Sequence, residues 1–427
     1  MNYYFLMLLQ PWISDPKWEE RDSKLRQLRQ QPVVLGHTTE LLGRIPPSPP
    51  GILFIRGPRQ CGKSTFLRQY IVKVLGEGMP PVHIGLIEAE ACEDRHELLG
   101  LIETFVTSAP GESLLCIDEL SSIDTWWLAL KLAADQGHLA DTLVLCTGSA
   151  SEEIADGADL LPGRRGKRSP LDFDLLPVRY ANLRNHLSLE QYLLTGGFPW
   201  AVNEFIRQQT IPPYIYELYG AWIQGIFVRR RHSTASVPPM LRYIAARTGT
   251  PLSVLSMTRD CGIGTNRTTE NYVSLLERNY ALLPASWSKP GTEVVAPRKN
   301  RKFFPADPLL FHLFADFSRG TDLSYSNSLV RIADPQCLGR LVECVVAAEL
   351  RRRPGMYPLR YFLGKREIDF TGSEAIEVKY QNRVSIDEFA WTRKILPADM
   401  RLTVITKNFR SLRENIRCLP LESWLCE

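Results

Sequence analysis

Gly57-Pro-Arg-Gln-Cys-Gly-Lys-Ser64 decides the fold of this chain. It completes the pattern G-x-x-x-x-G-K-[ST], and its flanks are the ones that pattern needs. Ile52-Leu-Phe-Ile55 before it is an apolar, strand-like run, and Thr65-Phe-Leu-Arg-Gln-Tyr-Ile-Val-Lys-Val-Leu75 after it has helical character. Strand, glycine loop and helix in that order predict a phosphate cradle. Gly57 and Gly62 let the backbone close around phosphate with its N–H groups inward, and the following helix adds the partial charge of its N-terminus. Lys63 is suited to β- and γ-phosphates and Ser64 to Mg²⁺. The candidate nucleotide-binding residues are therefore Gly57, Pro58, Arg59, Gln60, Cys61, Gly62, Lys63, Ser64 and Thr65.

Leu114-Leu-Cys-Ile-Asp-Glu-Leu120 supplies the partner. A continuous apolar run is the mark of a buried parallel strand. Ligands of such sheets bind beyond the carboxyl ends of the strands, so Asp118 and Glu119 are expected to project toward the phosphates. Asp118 is predicted to hold Mg²⁺, directly or through water, and Glu119 to orient or deprotonate the attacking water. A further strand, Thr142-Leu-Val-Leu-Cys146, runs into Thr147-Gly-Ser149, whose hydroxyls are candidate γ-phosphate or water contacts. Strands near 52–56, 82–88, 114–118, 142–147 and 172–177, with helical patterns between most of them, predict a parallel α/β sheet covered on both faces. The basic loop Leu161-Pro-Gly-Arg-Arg-Gly-Lys-Arg168 offers Arg164 or Arg165 to a nucleotide, in the same chain or in a neighbouring subunit, or is simply a solvated loop.

The chain has 427 residues, enough for two or three domains. Its 44% hydrophobic and 23% charged residues are those of a soluble globular protein. A net charge of +4 neither demands nor excludes nucleic acid. The nine cysteines are scattered, with no C-x-x-C pair, which argues against a zinc or dithiol site and for a reducing cytoplasm. The apolar start Met1–Leu9 lacks a basic flank and a cleavage site, is too short to span a membrane, and is expected to dock on the sheet domain.

The expected organisation is an N-terminal docking segment and hinge over 1–50, the ATPase core over 51–185, a helical linker over 186–236, a helix-turn-helix with a wing over 237–330, and a small α/β domain over 331–427. In the last of these, side chains alternate along strands. Asp369, Glu377 and Lys379 are thus expected on one surface, with Glu343 reaching in from a helix. Two or three carboxylates around Mg²⁺ with a lysine beside the attacking water form a phosphodiester-cleaving arrangement, with Asp369 and Glu377 as its metal ligands. The alternative is an exposed strand whose charges face solvent. Arg229-Arg-Arg231, Lys299-Asn-Arg-Lys302 and Arg351-Arg-Arg353 favour an anionic partner such as the DNA backbone, or are solvated faces.

The whole order of motifs resembles the prokaryotic AAA-type ATPases that join a P-loop core to a winged-helix region and a C-terminal domain of restriction-endonuclease-like architecture. Carrying the resemblance are Gly57–Thr65, Ile117-Asp-Glu-Leu120, a tryptophan at 126 or 127, Thr147-Gly-Ser149, Gly163-Arg164 and Gly196-Gly-Phe-Pro199. Gly339-Arg-Leu-Val-Glu343, Ile368-Asp-Phe370, Ile376-Glu-Val-Lys379 and the early Pro11-Trp12 complete the set. Two features depart from it: the glycine-rich turn Gly262-Ile-Gly264 with Arg267, and Arg229-Arg-Arg231 where the group has an acidic residue. The resemblance implies Mg-dependent binding of ATP and its hydrolysis. It leaves three readings open: an ATP-driven switch acting on double-stranded DNA or a protein, an ATP-gated nuclease, and a nucleotide-dependent scaffold. An oligomer is compatible with all three.

Overall fold

The computed structural model describes residues 10–230, 232–317 and 325–427. Met1–Leu9, expected to dock, and Arg231 of the first basic cluster lie outside the described residues. The chain divides into two compact units, Met1–Pro177 and Val178–Glu427.

The first unit is built on strands β1 (Gly51–Arg56), β2 (Ile84–Glu88), β3 (Ser113–Asp118), β4 (Thr142–Thr147) and β5 (Asp172–Asp174). All are parallel, in the order β2-β3-β4-β1-β5. Their β-branched and aliphatic residues are buried on both sides, as a helix-covered parallel sheet requires. Ile52, Phe54, Ile117 and Val144 face the helices Arg95–Ser108 and Trp127–Asp135. Leu53, Ile55, Cys116 and Leu145 alternate onto the other face, against the helix Lys63–Gly76. Within the expected docking segment and hinge, the chain forms the short helices Trp18–Arg21, Ser23–Arg29 and His37–Arg44. Trp12, Trp18, Leu25 and Leu41 bury themselves in that second face. Gln10 and Trp12 fasten the segment further by donating side-chain hydrogen bonds to the carbonyls of Ile84 (2.7 Å) and Pro81 (3.0 Å). β5 is shorter than expected, because the chain turns at Leu175 to pass against Gly57.

The second unit begins with the helices Leu189–Thr195, Pro199–Gln208, Pro213–Arg229 and Val237–Ala246. Gly196 and Gly197 separate the first two for a steric reason. Asp307 accepts hydrogen bonds from the Gly197 and Leu309 amides (2.9 and 2.8 Å), and a Cβ on Gly196 would collide with its carboxylate. Helices Val254–Asp260 and Asn266–Arg278 follow, each capped by a hydroxyl, Ser253 and Thr265. An antiparallel pair comes next, β6 (Leu282–Trp287) with β7 (Lys302–Pro305). After helices Pro308–Ala315, Tyr325–Ala333 and Pro335–Leu350 the chain adds β8 (Arg360–Leu363), β9 (Glu367–Thr371) and β10 (Ala375–Val378). β11 (Leu402–Thr406), β12 (Ser411–Arg413) and β13 (Ile416–Pro420) complete it. The sheet order is β12-β13-β11-β10-β9-β8-β6-β7. β6 pairs with β8 at Ser286–Arg360 and Trp287–Tyr361, so one sheet runs across the 330/331 division drawn on the sequence.

Candidate nucleotide-binding site

The glycine loop sits at the carboxyl end of β1 and opens the helix Lys63–Gly76. A side chain at Gly57 would collide with the Leu175 carbonyl, so only glycine lets the loop lie this close to β5. Lys63 is buried, and its ammonium donates to the carbonyls of Gly57 (3.0 Å) and Pro58 (2.8 Å). Burial pulls its pKa below the usual lysine value, with Cys61, Glu119 and Asp118 offsetting part of that. A buried ammonium answered only by loop carbonyls is a group made for an anion.

β4 lies between β1 and β3, which brings Thr147 beside Asp118. Asp118 is buried and accepts from Ser64 Oγ (3.0 Å) and Thr147 Oγ1 (2.6 Å) on Oδ1, and from Arg68 Nη1 (2.7 Å) on Oδ2. Glu119 has a left-handed backbone, φ 57°, a rare state for a residue with a side chain. Its Oε1 accepts from the Ser149 amide (2.6 Å) and Ser121 Oγ (2.9 Å), and its own amide donates to Thr147 Oγ1 (3.2 Å). The structure therefore joins Lys63, Ser64, Asp118, Glu119, Thr147 and Ser149 through one set of loops at one end of the sheet. A hydroxyl and a carboxylate are hard oxygen donors that suit Mg²⁺, and the buried Lys63 suits a phosphate, so the residues present fit Mg·ATP.

Arg164 is not part of that set, which corrects the expectation of a nucleotide contact within the chain. The helix Ser151–Asp159 carries the chain back to the amino end of the sheet, where the Ile52 amide donates to the Arg165 carbonyl (3.1 Å). Arg164 pairs there with Asp135 (2.6 Å), and Arg165 with Asp172 (2.8 Å). Two residues that the motifs did not flag belong to the site instead: Arg68 on Asp118, and Glu88, whose carboxylate also accepts from Arg68. Position 68 follows Ser64 by one helical turn, which puts both on one face.

In the second unit, Ile376 pairs with Phe370, which sets Glu377 beside Asp369 as expected. Lys379 contacts Glu377 (2.9 Å), and Glu343 reaches the group from its helix. The structure adds Lys302 of β7, fully buried, with its ammonium 3.0 Å from Asp369 and 2.5 Å from Glu367. The other Asp369 oxygen accepts from the Val378 amide (2.9 Å). Burial raises the pKa of Glu343 and Glu377, and the neighbouring charge of Asp369 raises both further. Burial alone would lower that of Lys302, but Asp369, Glu343 and Glu367 outweigh it and hold it above the usual value. Among the described residues, no three His, Cys, Asp or Glu side chains are grouped to hold a metal ion. Both carboxylates of the expected Asp369–Glu377 pair are in contact with lysines, Asp369 with Lys302 and Glu377 with Lys379.

Two of the basic clusters are spent internally as well. Arg351 stacks on Tyr280 (4.4 Å) and Tyr357 (4.8 Å), and Arg353 on Trp424 (3.9 Å). Arg301 pairs with Glu270, and Lys299 lies over Trp287 (5.6 Å).

Residues 49–183 match the family described as an AAA domain, and residues 186–320 match a domain of unknown function, DUF8612. No curated protein matches the chain. Among solved structures it is similar to a Walker-type ATPase of Pyrococcus abyssi at 18% identity, covering 70% of this chain and 95% of that one, TM-score 0.42. It is also similar to the Orc1 protein of Aeropyrum pernix, solved in complex with DNA, at 13% identity over 80% of this chain and 100% of that one, TM-score 0.30. AMPPCP-bound DnaA of Aquifex aeolicus is similar at 12% identity over 56% and 85% of the two chains, TM-score 0.29. Residues 49–183, which match the AAA-domain family, carry the parallel sheet and glycine loop of the P-loop NTPase fold.

Proposed function

We propose that this chain is a Mg-dependent ATPase that works as a nucleotide-driven switch on double-stranded DNA or a protein partner. The observation that carries this is the buried Lys63 ammonium, held by two carbonyls beside Ser64, Asp118 and Glu119. Lys63 would exchange those carbonyls for the β- and γ-phosphates, and Ser64 and Asp118 would hold Mg²⁺. Bound Mg²⁺ would supply charge neutralisation of the phosphate oxygens. Glu119, fixed by the Ser149 amide and Ser121, would accept a proton from the attacking water or orient it. No helix among the described residues is long and apolar enough to cross a membrane, and all nine cysteines are free, which supports a cytoplasmic setting.

The test is ATP hydrolysis by the wild type and by Glu119→Gln, with and without Mg²⁺ and double-stranded DNA, with the DNA followed on a gel. Hydrolysis is expected to need Mg²⁺ and to fall on the order of 100-fold in the variant. An undiminished rate in Glu119→Gln would remove Glu119 from its role. Stimulation by DNA would assign DNA as the target, and indifference a protein. For the second unit, the lysine contacts of Asp369 and Glu377 support a scaffold that does not cleave. Metal-dependent nicking lost in Asp369→Ala would overturn that and restore the nuclease reading.

A further inference from the structure

Arg68 is a buried guanidinium shared by three carboxylates of the first unit. Its Nη1 donates to Asp118 (2.7 Å) and to the Ser64 carbonyl (3.0 Å), its Nη2 donates to Glu88, and its Nε stands 3.4 Å from Asp22. Asp118 and Ser64 are the residues placed to hold Mg²⁺. Asp22 lies in the N-terminal segment. Its Oδ1 caps the helix Ser23–Arg29 through the amides of Lys24 (3.0 Å) and Leu25 (2.9 Å), which leaves Oδ2 for Arg68. Leu25 and Trp18 on either side are buried in the sheet domain, so Asp22 is held where it is by packing.

We propose that Arg68 is a positioning residue that ties the Mg²⁺ requirement of the nucleotide site to the seating of the N-terminal segment, through Asp22. The inference rests on the reading of Ser64 and Asp118 as the Mg²⁺ holders. Its physics is competition for one positive charge. A divalent cation approaching Asp118 meets a carboxylate already answered by Arg68. The more of that charge Asp22 and Glu88 draw off, the more negative Asp118 remains and the more readily the cation binds. Losing Asp22 throws Arg68 more fully onto Asp118. Losing Arg68 strips Asp118 of its built-in cation.

The two changes therefore act in opposite directions, which a general loss of packing would not do. The experiment is the affinity of the full chain for a fluorescent ATP analogue, measured across a Mg²⁺ titration. Asp22→Asn is expected to raise the half-saturating Mg²⁺ concentration about two- to fivefold, and Arg68→Met to lower it about tenfold. Arg68→Lys keeps the charge but loses the fork, and is expected to lower the requirement less than Arg68→Met does. Shifts in the same direction, or an unchanged requirement in Asp22→Asn, would overturn the proposal. Should Arg68→Met fail to fold, Asp22→Asn alone still decides, since Asp22 sits at the outer end of the contact. A wild type that binds no analogue at any Mg²⁺ concentration would instead refute the nucleotide site itself.

Discussion

Lys63 and Lys302 are both buried lysines near carboxylates, yet burial and partners push their pKa values in opposite directions. Lys63 has only the carbonyls of Gly57 and Pro58 as hydrogen-bond acceptors, and burial lowers its pKa. Lys302 is in contact with Asp369 and Glu367, and with Glu343 nearby these carboxylates overcome the cost of burial and raise its pKa. The first is a buried charge whose hydrogen bonds go to neutral carbonyls. The second has its counter-ions within the fold. The same chemical group is thus pushed in opposite directions in the two units, and the partners rather than the residue type make the difference.

Three changes would break or sharpen that contrast. The largest effect is expected from Lys302→Met, which strands Asp369 and Glu367 without their cation. It should destabilise the second unit by about 3 kcal/mol, the low end for a broken buried pair because Glu367 is a third exposed. Native-state hydrogen exchange at β9 and β10 in the full chain would read it, and unchanged exchange would mean the carboxylates do not depend on Lys302. Next is Lys63→Ala, expected to weaken ATP binding on the order of 100-fold by removing a charged phosphate contact while leaving stability nearly unchanged. Calorimetric titration with ATP and thermal unfolding measure the two halves of that expectation. Retained affinity would remove Lys63 from the contrast altogether.

The smallest effect concerns pH. Burial, reinforced by the neighbouring charge of Asp369, pushes the pKa of Glu343 and Glu377 well above their values in an unfolded chain. Above the ordinary carboxylate range the folded state therefore keeps protons that the unfolded state has lost. Their contribution to stability is complete at lower pH and disappears as pH rises through the folded-state values. Glu343→Gln should flatten this decline in the stability of the second unit. An identical pH profile in wild type and variant would show that Glu343 is ionised in the fold.

Much of the first unit was legible because its signals are local. Apolar runs marked the strands, and Gly57–Ser64 and Ile117–Glu119 marked the loops that meet at the carboxyl end of the sheet. The fault at Arg164 was one of topology. Its loop precedes a strand, and in a parallel sheet that puts it at the amino end, away from ligands; the residue types alone suggested the opposite. Lys302 was opaque for another reason. In Lys299-Asn-Arg-Lys302 it reads as one more surface cation, and its partner Asp369 lies 67 residues on. Only the register of β7 turns it inward. Arg68 stands between these cases: its place one turn beyond Ser64 was visible, but its three carboxylates come from separate parts of the unit.

The pairing of β6 with β8 bears on how such a chain can be inherited. A recombination event joining a new tail after residue 330 would separate the β6–β7 hairpin from β8–β13 and leave two raw strand edges, each a template for pairing with another chain. An exchange at the 177/178 division cuts no strand pairing in either unit. Residues 178–427 should accordingly pass between genomes as a single cassette, with the hairpin and the tail kept together by selection against sticky edges.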